Sequence, residues 1–373
     1  MPDVFESILG QPDVRAFLRS TVAHNKVSHA YLFTGPSGSN KTSAAYAFAK
    51  ALICEQSGCQ SCAACRSIDR KTHPDVHYIA PEGSRGYLVS QIRDIVADTA
   101  LAPIQANHKV YILDRVDLLG IEAANAFLKT LEEPGENITF ILLGRTRQAV
   151  LPTIVSRCQV VPFRHIPSKE AAGILSQNTG VSQELARVAI EACGGSLTKA
   201  IGFAKSNERL AFRQRVLTVL RSLEVADDLD VLHYAKELID LAKAPLDLVM
   251  SAQEEELNES REFLSKAALR QIEERNKRAL SAASLASLRQ MTAIMRSWLR
   301  DILMVASNTP ELIINVDVRD DIMRVAQGTN IDALLEAMRQ AEKTDEAIAY
   351  NVSPETCIDV LLFTIRKVVR CIR

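Results

Sequence analysis

A glycine-bearing loop between a short apolar run and an alanine-rich run constrains this chain more than any other feature. Ser28-His29-Ala30-Tyr31-Leu32-Phe33-Thr34 reads as a strand, and Thr42 to Ile53 (TSAAYAFAKALI) reads as a helix. Gly35-Pro-Ser-Gly38-Ser-Asn40-Lys41-Thr42 joins them. Glycines in such a turn let backbone N–H groups approach a phosphate closely, and the helix N-terminus adds partial positive charge. Lys41 is then placed to reach the outer phosphates of a nucleotide such as ATP, and the Thr42 hydroxyl to ligate magnesium. The usual pattern has glycine just before the lysine, where this chain has Asn40. Asparagine tolerates positive φ better than most residues, so the turn is expected to survive. The plainer alternative is an ordinary strand–turn–helix with a chance lysine.

Directly after that helix come Cys54, Cys59, Cys62 and Cys65, spaced C-x4-C-x2-C-x2-C. Four thiolates at such spacings can close a tetrahedral shell around zinc. Cys54 would come from the helix end, and Cys62 and Cys65, three apart, share one face of a helical turn. A closed shell leaves no position for water, so the expected zinc is structural. The alternatives are disulfides or buried free thiols. Disulfides need an oxidising compartment, and the first residues, MPDVFESILG, carry acids and no apolar signal core. Cytoplasmic location is the expectation. Cys158, Cys193, Cys357 and Cys371 are scattered and read as small core residues.

With 373 residues the chain has room for two or three domains. Its 44 basic and 45 acidic side chains give a net charge of −1, which excludes whole-molecule attraction to nucleic acid. Residues 1–166 hold 17 basic and 15 acidic groups, so any DNA contact must be a local patch. No apolar run is long enough for a bilayer.

After the first strand, further strands are expected at Val76–Ala80, Lys109–Asp114, Thr139–Leu143 and Gln159–Phe163, with helices between them. Such alternation predicts an α/β domain, a parallel sheet covered by helices on both faces. From Pro167 the strand signal disappears. Short helical patterns broken by Gly180, Gly194 and Gly195 suggest a compact helical subdomain, and beyond about Asn207 apolar residues recur at three and four, as in Leu334, Leu335, Met338 and in Ile358, Leu361, Leu362, Ile365. The charge-dense stretch Ala252–Lys277 reads as a solvated helix or helical arm.

The strand Val110-Tyr-Ile-Leu-Asp114 ends in an aspartate at the carboxyl end of a parallel strand, where ligands sit in such sheets. Asp114 looks like the magnesium-coordinating partner of a phosphate loop. An active ATPase of this kind normally carries a glutamate next, to polarise the attacking water. Here Arg115 follows, and a guanidinium cannot serve as that base. The position argues against hydrolysis.

Four segments now carry a family resemblance: Ser28 to Gly35, the cysteine cluster, Ala123-Ala-Asn-Ala-Phe-Leu-Lys-Thr-Leu-Glu-Glu-Pro134, and Leu151-Pro-Thr-Ile-Val-Ser-Arg-Cys158. In this order they resemble bacterial clamp-loader subunits, the delta-prime and gamma/tau types of DNA polymerase III, members of the AAA+ class. The likeness is strong over residues 1–166, fair to about 206, and architectural beyond. It implies a AAA+ core at 1–166 with a zinc module at 54–65, a helical lid at 167–206, and an all-α collar for oligomerisation at 207–373. It also implies partners: gamma/tau-type and delta-type subunits in a five-membered ring, which sets the sliding clamp on primed DNA, with no membrane role. Gly35, Gly38, Lys41, Thr42 and Asp114 are the implied nucleotide site. Ser156-Arg157-Cys158 resembles the family's arginine-finger motif, and Arg157 is expected to act in trans on a neighbour's ATP. Elsewhere such an arginine would be read as half of a surface salt bridge.

Active motor subunits of this family carry glycine at Asn40 and glutamate at Arg115. They also carry a polar sensor where this chain has Gly144, and an arginine after the Gly-Ser-Leu turn where it has Thr198. Each change removes a group that orients water or stabilises transferred charge. With the finger kept, the pattern is that of a delta-prime-type subunit that donates and does not hydrolyse. Two alternatives are an active gamma/tau-type motor and a phosphate-loop kinase or zinc DNA reader. A kinase needs an arginine-rich closing lid and a zinc reader a basic recognition helix. The only basic stretch beside the cysteines, from Arg66 to Lys71, is short.

Overall fold

Apolar runs of four to seven residues, rich in Val, Ile, Leu and Phe, make strands that must be covered on both faces. In the computed structural model, which describes residues 3–83, 86–260, 266–350 and 352–370, they form one five-stranded parallel sheet. The chain opens with a 3-10 turn at Val4–Ser7 and α1 at Pro12–Ala23. There follow β1 (Ala30–Thr34), α2 (Lys41–Ile53), α3 (Ala63–Asp69), β2 (Val76–Ile79), α4 (Val89–Thr99), β3 (Lys109–Leu113), α5 (Ile121–Glu132), β4 (Ile138–Gly144), α6 (Pro152–Val155), β5 (Gln159–Pro162) and α7 (Ser168–Thr179). The strand order is β2-β3-β4-β1-β5, all neighbours parallel, with Thr34 level with Gly144 on one side and Pro162 on the other. The expected strands and the alanine-rich helix stand within a residue or two of their predicted limits.

Alternate residues of each strand feed opposite faces of the sheet. Tyr31, Phe33, Val110, Ile112, Ile141 and Leu143 pack with the alanine face of α2 and with Val4, Phe5 and Ile8. Leu32, Tyr111, Leu113, Phe140 and Leu142 pack on α4 and α5. Phe48 meets Tyr31 edge to face at 5.0 Å, and Phe127 meets Phe140 likewise at 5.0 Å. Each such buried ring contributes about 1.5–3 kcal/mol from burial. The two cores fix the carboxyl ends of β1, β3 and β4, where the candidate site lies.

Packing divides the chain into two units, one of residues 1–178 with Gly195–Thr198, the other of 179–194 with 199–373. The first unit therefore carries α7 as well as the sheet. The second is all-helical among the described residues: α8 (Gln183–Ala192), α9 (Leu197–Ala204, whose first two residues belong to the first unit), α10 (Asn207–Ser222), α11 (Asp228–Ser260), α12 (Lys266–Ala306), α13 (Arg319–Ala326), α14 (Ile331–Ala349) and α15 (Pro354–Arg370). Its core gathers Trp298, Leu299, Ile302, Leu334, Ile358, Leu361, Leu362 and Ile365, none more than 1% exposed. Leu335, read from the same spacing, faces outward at 38% exposure. The described part of the charge-dense stretch is helical, ending α11 and starting α12.

A buried polar network pins α10 and α12 to the segment before α13. Asp301, fully buried, accepts from the amides of Ile314 (3.1 Å) and Asn315 (2.8 Å) and from Asn315 Nδ2 (2.8 Å). Arg213 donates to both carboxylate oxygens of Asp317 at 2.6 and 2.9 Å and to Asn315 Oδ1 at 2.7 Å. The apolar period could not announce this network, because its members sit at turns and at single helix positions.

Candidate nucleotide and metal sites

The phosphate loop is shaped by two left-handed residues. Gly38 has φ +81° and Asn40, the N-cap of α2, has φ 72°, ψ 18°, so asparagine does adopt the conformation usually left to glycine. Gly35 is needed for close approach, since a Cβ there would lie 2.5 Å from the carbonyl oxygen of Phe163. Lys41 Nζ donates to the carbonyls of Gly35 (2.6 Å) and Pro36 (2.8 Å) and to Ser39 Oγ (3.3 Å), which holds the ammonium over the loop. Burial pushes the Lys41 ammonium below its ordinary range, against the opposing pull of Asp114 and Asp117. Thr42 is exposed on the first turn of α2, whose leading N–H groups lack intrahelical partners. These residues fit a phosphate group: a lysine, a helix N-terminus and an open backbone cradle converge.

Asp114 follows β3 as expected. Its carboxylate accepts from Tyr78 Oη at 2.9 Å and from the amide of Arg115 at 3.0 Å. Tyr87 Oη donates to the Asp114 carbonyl at 2.5 Å and to that of Ile79 at 3.0 Å, so two tyrosines brace this strand end. Burial, reinforced by the charge of Asp114, holds both phenols well above their ordinary range, so they remain donors. Arg115 sits in the left-handed region at φ 49°, a sharp turn that leads into the 3-10 turn Val116–Leu118. That turn carries Asp117, a carboxylate the sequence reading missed. Asp117 accepts from the amide of Arg145 at 3.3 Å and pairs with its Nε at 3.4 Å. Its spacing of three from Asp114 was the available signal. Gly144 ends β4, and its carbonyl accepts from the amide of Gly35 at 3.3 Å. Thr198 Oγ1 donates to Asn40 Oδ1 at 2.7 Å and lies 3.0 Å from Ser43 Oγ.

The four clustered cysteines converge. Their sulfurs lie within 4.8 Å of one another, with Cys54 Sγ 3.7 Å from both Cys59 Sγ and Cys62 Sγ. Zinc–sulfur bonds of about 2.3 Å in a tetrahedron place sulfurs roughly 3.8 Å apart, so the spacing suits a shared ion and is far too long for a disulfide. Cys54 caps α2 and Cys62 caps α3. The amides of Cys62 and Cys65 point at the sulfurs of Cys59 and Cys62, each at 3.3 Å. Hydrogen bonds from Ser61, side chain first, and from the Cys62 amide lower Cys59 to about 6, which favours its thiolate. The residues fit structural zinc. Cys357 is buried, whereas Cys158 and Cys193 are only half-buried, with burial pushing them to about 12 and 11. Cys371 lies outside the described residues.

Arg157 stands apart from these groups. It follows α6 and precedes β5, at the amino edge of the sheet, while the phosphate loop leaves the carboxyl end of β1. The turn that carries it enters β5 at Gln159, level with Tyr31, three strand steps or roughly 10 Å from Thr34, where the loop begins. Its guanidinium is held by Glu132 of the same chain, Nε donating to Oε1 at 2.8 Å, with Nη1 on the carbonyl of Thr153 at 2.9 Å.

A family model described as DNA polymerase III, delta subunit, matches residues 10–167, and one described as the C-terminal part of that subunit matches residues 255–362. DNA polymerase III subunit tau of Bacillus subtilis is 36% identical over 267 residues, which is 69% of this chain and 46% of that one. Subunit delta' of the same organism is 31% identical over 216 residues, 57% of this chain and 65% of that one. The matches thus span less than two thirds of either relative. A solved gamma subunit-related protein from Thermotoga maritima is 16% identical, with 95% of this chain and 99% of that one aligned at a TM-score of 0.48. The two matched family segments together cover well over half of the sequence, and the chain belongs to the clamp-loader subunits of DNA polymerase III, in the AAA+ class.

Proposed function

We propose that this chain is a delta-prime-type clamp-loader subunit that does not hydrolyse ATP and that lends Arg157 to a neighbour's nucleotide site. The observation that carries the reading is at Asp114–Arg115. The position that would hold a water-polarising carboxylate holds a guanidinium, on a residue with left-handed backbone, and the Asp114 carboxylate is already engaged by Tyr78 and the Arg115 amide. Arg115 itself cannot take a proton from water at neutral pH. Gly144 and Thr198 likewise place no charged group over the loop. The opposite-edge placement of Arg157 supports action in trans, because it sits before the amino end of β5 while its own phosphate loop leaves the carboxyl end of β1.

When bound, a nucleotide would bring its phosphates to Lys41 and the first turn of α2, with Thr42 and Asp114 as magnesium partners. Its role in this chain is to bind and orient. Cys54, Cys59, Cys62 and Cys65 hold one structural zinc. The division into a core at 1–166, a lid at 167–206 and a collar at 207–373 belongs to the same reading. So do a cytoplasmic location and a pentameric ring with gamma/tau-type and delta-type subunits, acting on the sliding clamp at primed DNA. Among the described residues no helix is long and apolar enough to cross a membrane.

The intact lysine cradle and the 36% identity to a tau subunit favour a second reading, an active motor. Steady-state MgATP hydrolysis by the purified chain decides between them. No turnover supports the donor reading, and clear turnover establishes the motor.

A further inference from the structure

Residues 3–11 lie between the cysteine cluster and the phosphate loop and touch both. At the cluster, Gly58 (φ +96°) presses on Val4 so closely that a Cβ there would come within 2.7 Å of Val4 Cβ and Cγ1. The same glycine immediately precedes Cys59 in the chain. Val4 therefore rests on backbone that holds a candidate zinc ligand. Phe5 and Ile8 follow into the core against α2, 3% and 0% exposed.

At the other end the segment grips the loop. Asn40 Nδ2 donates to the carbonyl of Leu9 at 3.2 Å, and Gln11 Nε2 donates to the carbonyl of Ser39 at 3.1 Å. Gln11 is itself fixed by Arg164, donating to its carbonyl at 2.8 Å and accepting from its amide at 3.1 Å. The remaining face of the Asn40 carboxamide is taken by Thr198. A glycine at position 40 could make neither contact.

Two struts thus join the cysteine cluster to the phosphate loop: α2, and the strap of residues 3–11. The thirteen residues of α2 span about 20 Å, so the two sites cannot touch directly. The struts depend on the metal differently. α2 keeps its own backbone bonds and a buried face of Ala44, Ala45, Ala47, Phe48 and Ala51. The strap contains only a four-residue 3-10 turn, which has little stability of its own and relies on its seats.

We propose that the strap makes the zinc knuckle a support for the phosphate loop. Loss of the metal frees Gly58, unseats Val4 and, through Leu9 and Gln11, loosens Ser39 and Asn40. Gln11 and Asn40 are positioning residues for the loop. The inference uses the zinc assignment made above, and its second half stands without it.

The test is hydrogen–deuterium exchange on the purified full-length chain, with zinc content measured alongside. Three samples are compared with the untreated chain: chain stripped by a chelator, Val4→Ala, and Asn40→Gly, the latter two keeping their metal. Stripping is expected to raise exchange at least tenfold in segments 54–69, 4–11 and 36–41, with β1 and β4 unchanged. Val4→Ala should raise it in 4–11 and 36–41 with one zinc retained, and Asn40→Gly in 36–41 alone. If stripping loosens only 54–69, or Val4→Ala leaves 36–41 unchanged, the strap does not couple the two sites. If stripping unfolds the whole unit, the metal-retaining Val4→Ala sample decides. A chain purified without zinc defeats the metal assignment, and Val4→Ala then tests the grip of strap on loop by itself.

Discussion

Arg157 is anchored by Glu132, both Nε and Nη2 donating to one carboxylate oxygen, and Glu132 is the last residue of α5. A helix C-terminus disfavours a carboxylate, so the guanidinium relieves a charge the helix dipole opposes. With side chains 29% and 48% exposed, the pair is worth under about 1 kcal/mol. A neighbour's triphosphate offers several charges and bidentate geometry, enough to draw the guanidinium away from one carboxylate. Arg157→Ala should therefore leave the chain folded, with stability within about 1 kcal/mol, and lower ATP turnover at the neighbouring site by ~10³-fold or more in the reconstituted loader. Phosphate release from the assembled complex is the measurement, and unchanged turnover would remove the finger.

The cysteine cluster predicts a metal count. The native chain should carry one equivalent of zinc, and Cys59→Ser with Cys62→Ser should carry none, as read by elemental analysis of dialysed protein. Thiols must lose their protons to bind, so metal is retained at neutral pH and released as acid protonates the sulfurs. A double variant that still held one equivalent would show that other residues bind the ion.

Much of the first unit was legible because a buried parallel strand is written as an almost unbroken apolar run, and five such runs stand where expected. Asn40 was legible for a local reason, the tolerance of asparagine for positive φ. Asp117 was not. Its charge acts on Lys41 from the turn that Arg115 opens in the left-handed region, and nothing in the residue type of Arg115 announces that turn. Glu132 was hidden likewise, since its pairing with Arg157 joins residues 25 apart. Leu335 shows the limit of spacing arguments: it neighbours buried Leu334, yet α14 turns it outward. The strap escaped notice because its contacts are carried by backbone carbonyls and amides, which sequence patterns do not record.

Asp75 should govern part of the acid limb of stability. Its carboxylate is fully buried and accepts from the amides of Ile104 (2.6 Å), Gln105 (2.8 Å) and Ala106 (2.9 Å). Burial alone would raise its pKa, but those three amides, helped by His73, hold it below the usual carboxylate range. A depressed folded value means the stabilisation is present above the unfolded pKa of about 3.9 and is lost as pH falls through the lower folded value. Asp75→Asn should cost about 3 kcal/mol at neutral pH. The difference between the two proteins should shrink below pH ~4, as followed by denaturant unfolding across pH. A difference that stayed constant down to pH ~2 would show that the charge is immaterial.

The Arg213–Asn315–Asp301 network makes a prediction for the helical unit. Arg213 is 4% exposed and Asp301 0%, so removing either leaves a buried polar group of Asn315 without its partner. Arg213→Ala takes the donor from Asn315 Oδ1, while Asp317 keeps Gln214 at 3.0 Å and access to water; Asp301→Ala strands the amides of Ile314 and Asn315. Asp301→Ala should destabilise that unit by about 3 kcal/mol and Arg213→Ala by less, about 1–3 kcal/mol. Both variants act through Asn315, which donates to Asp301 and accepts from Arg213. The double variant should consequently lose less than the two single losses combined, by about 1 kcal/mol or more. Residue-resolved hydrogen exchange in α10 and α12 isolates the unit's own unfolding, which a single melting curve of a two-unit chain would blur. Strict additivity would mean that the two carboxylate clusters brace the helices independently, with Asn315 a bystander between them.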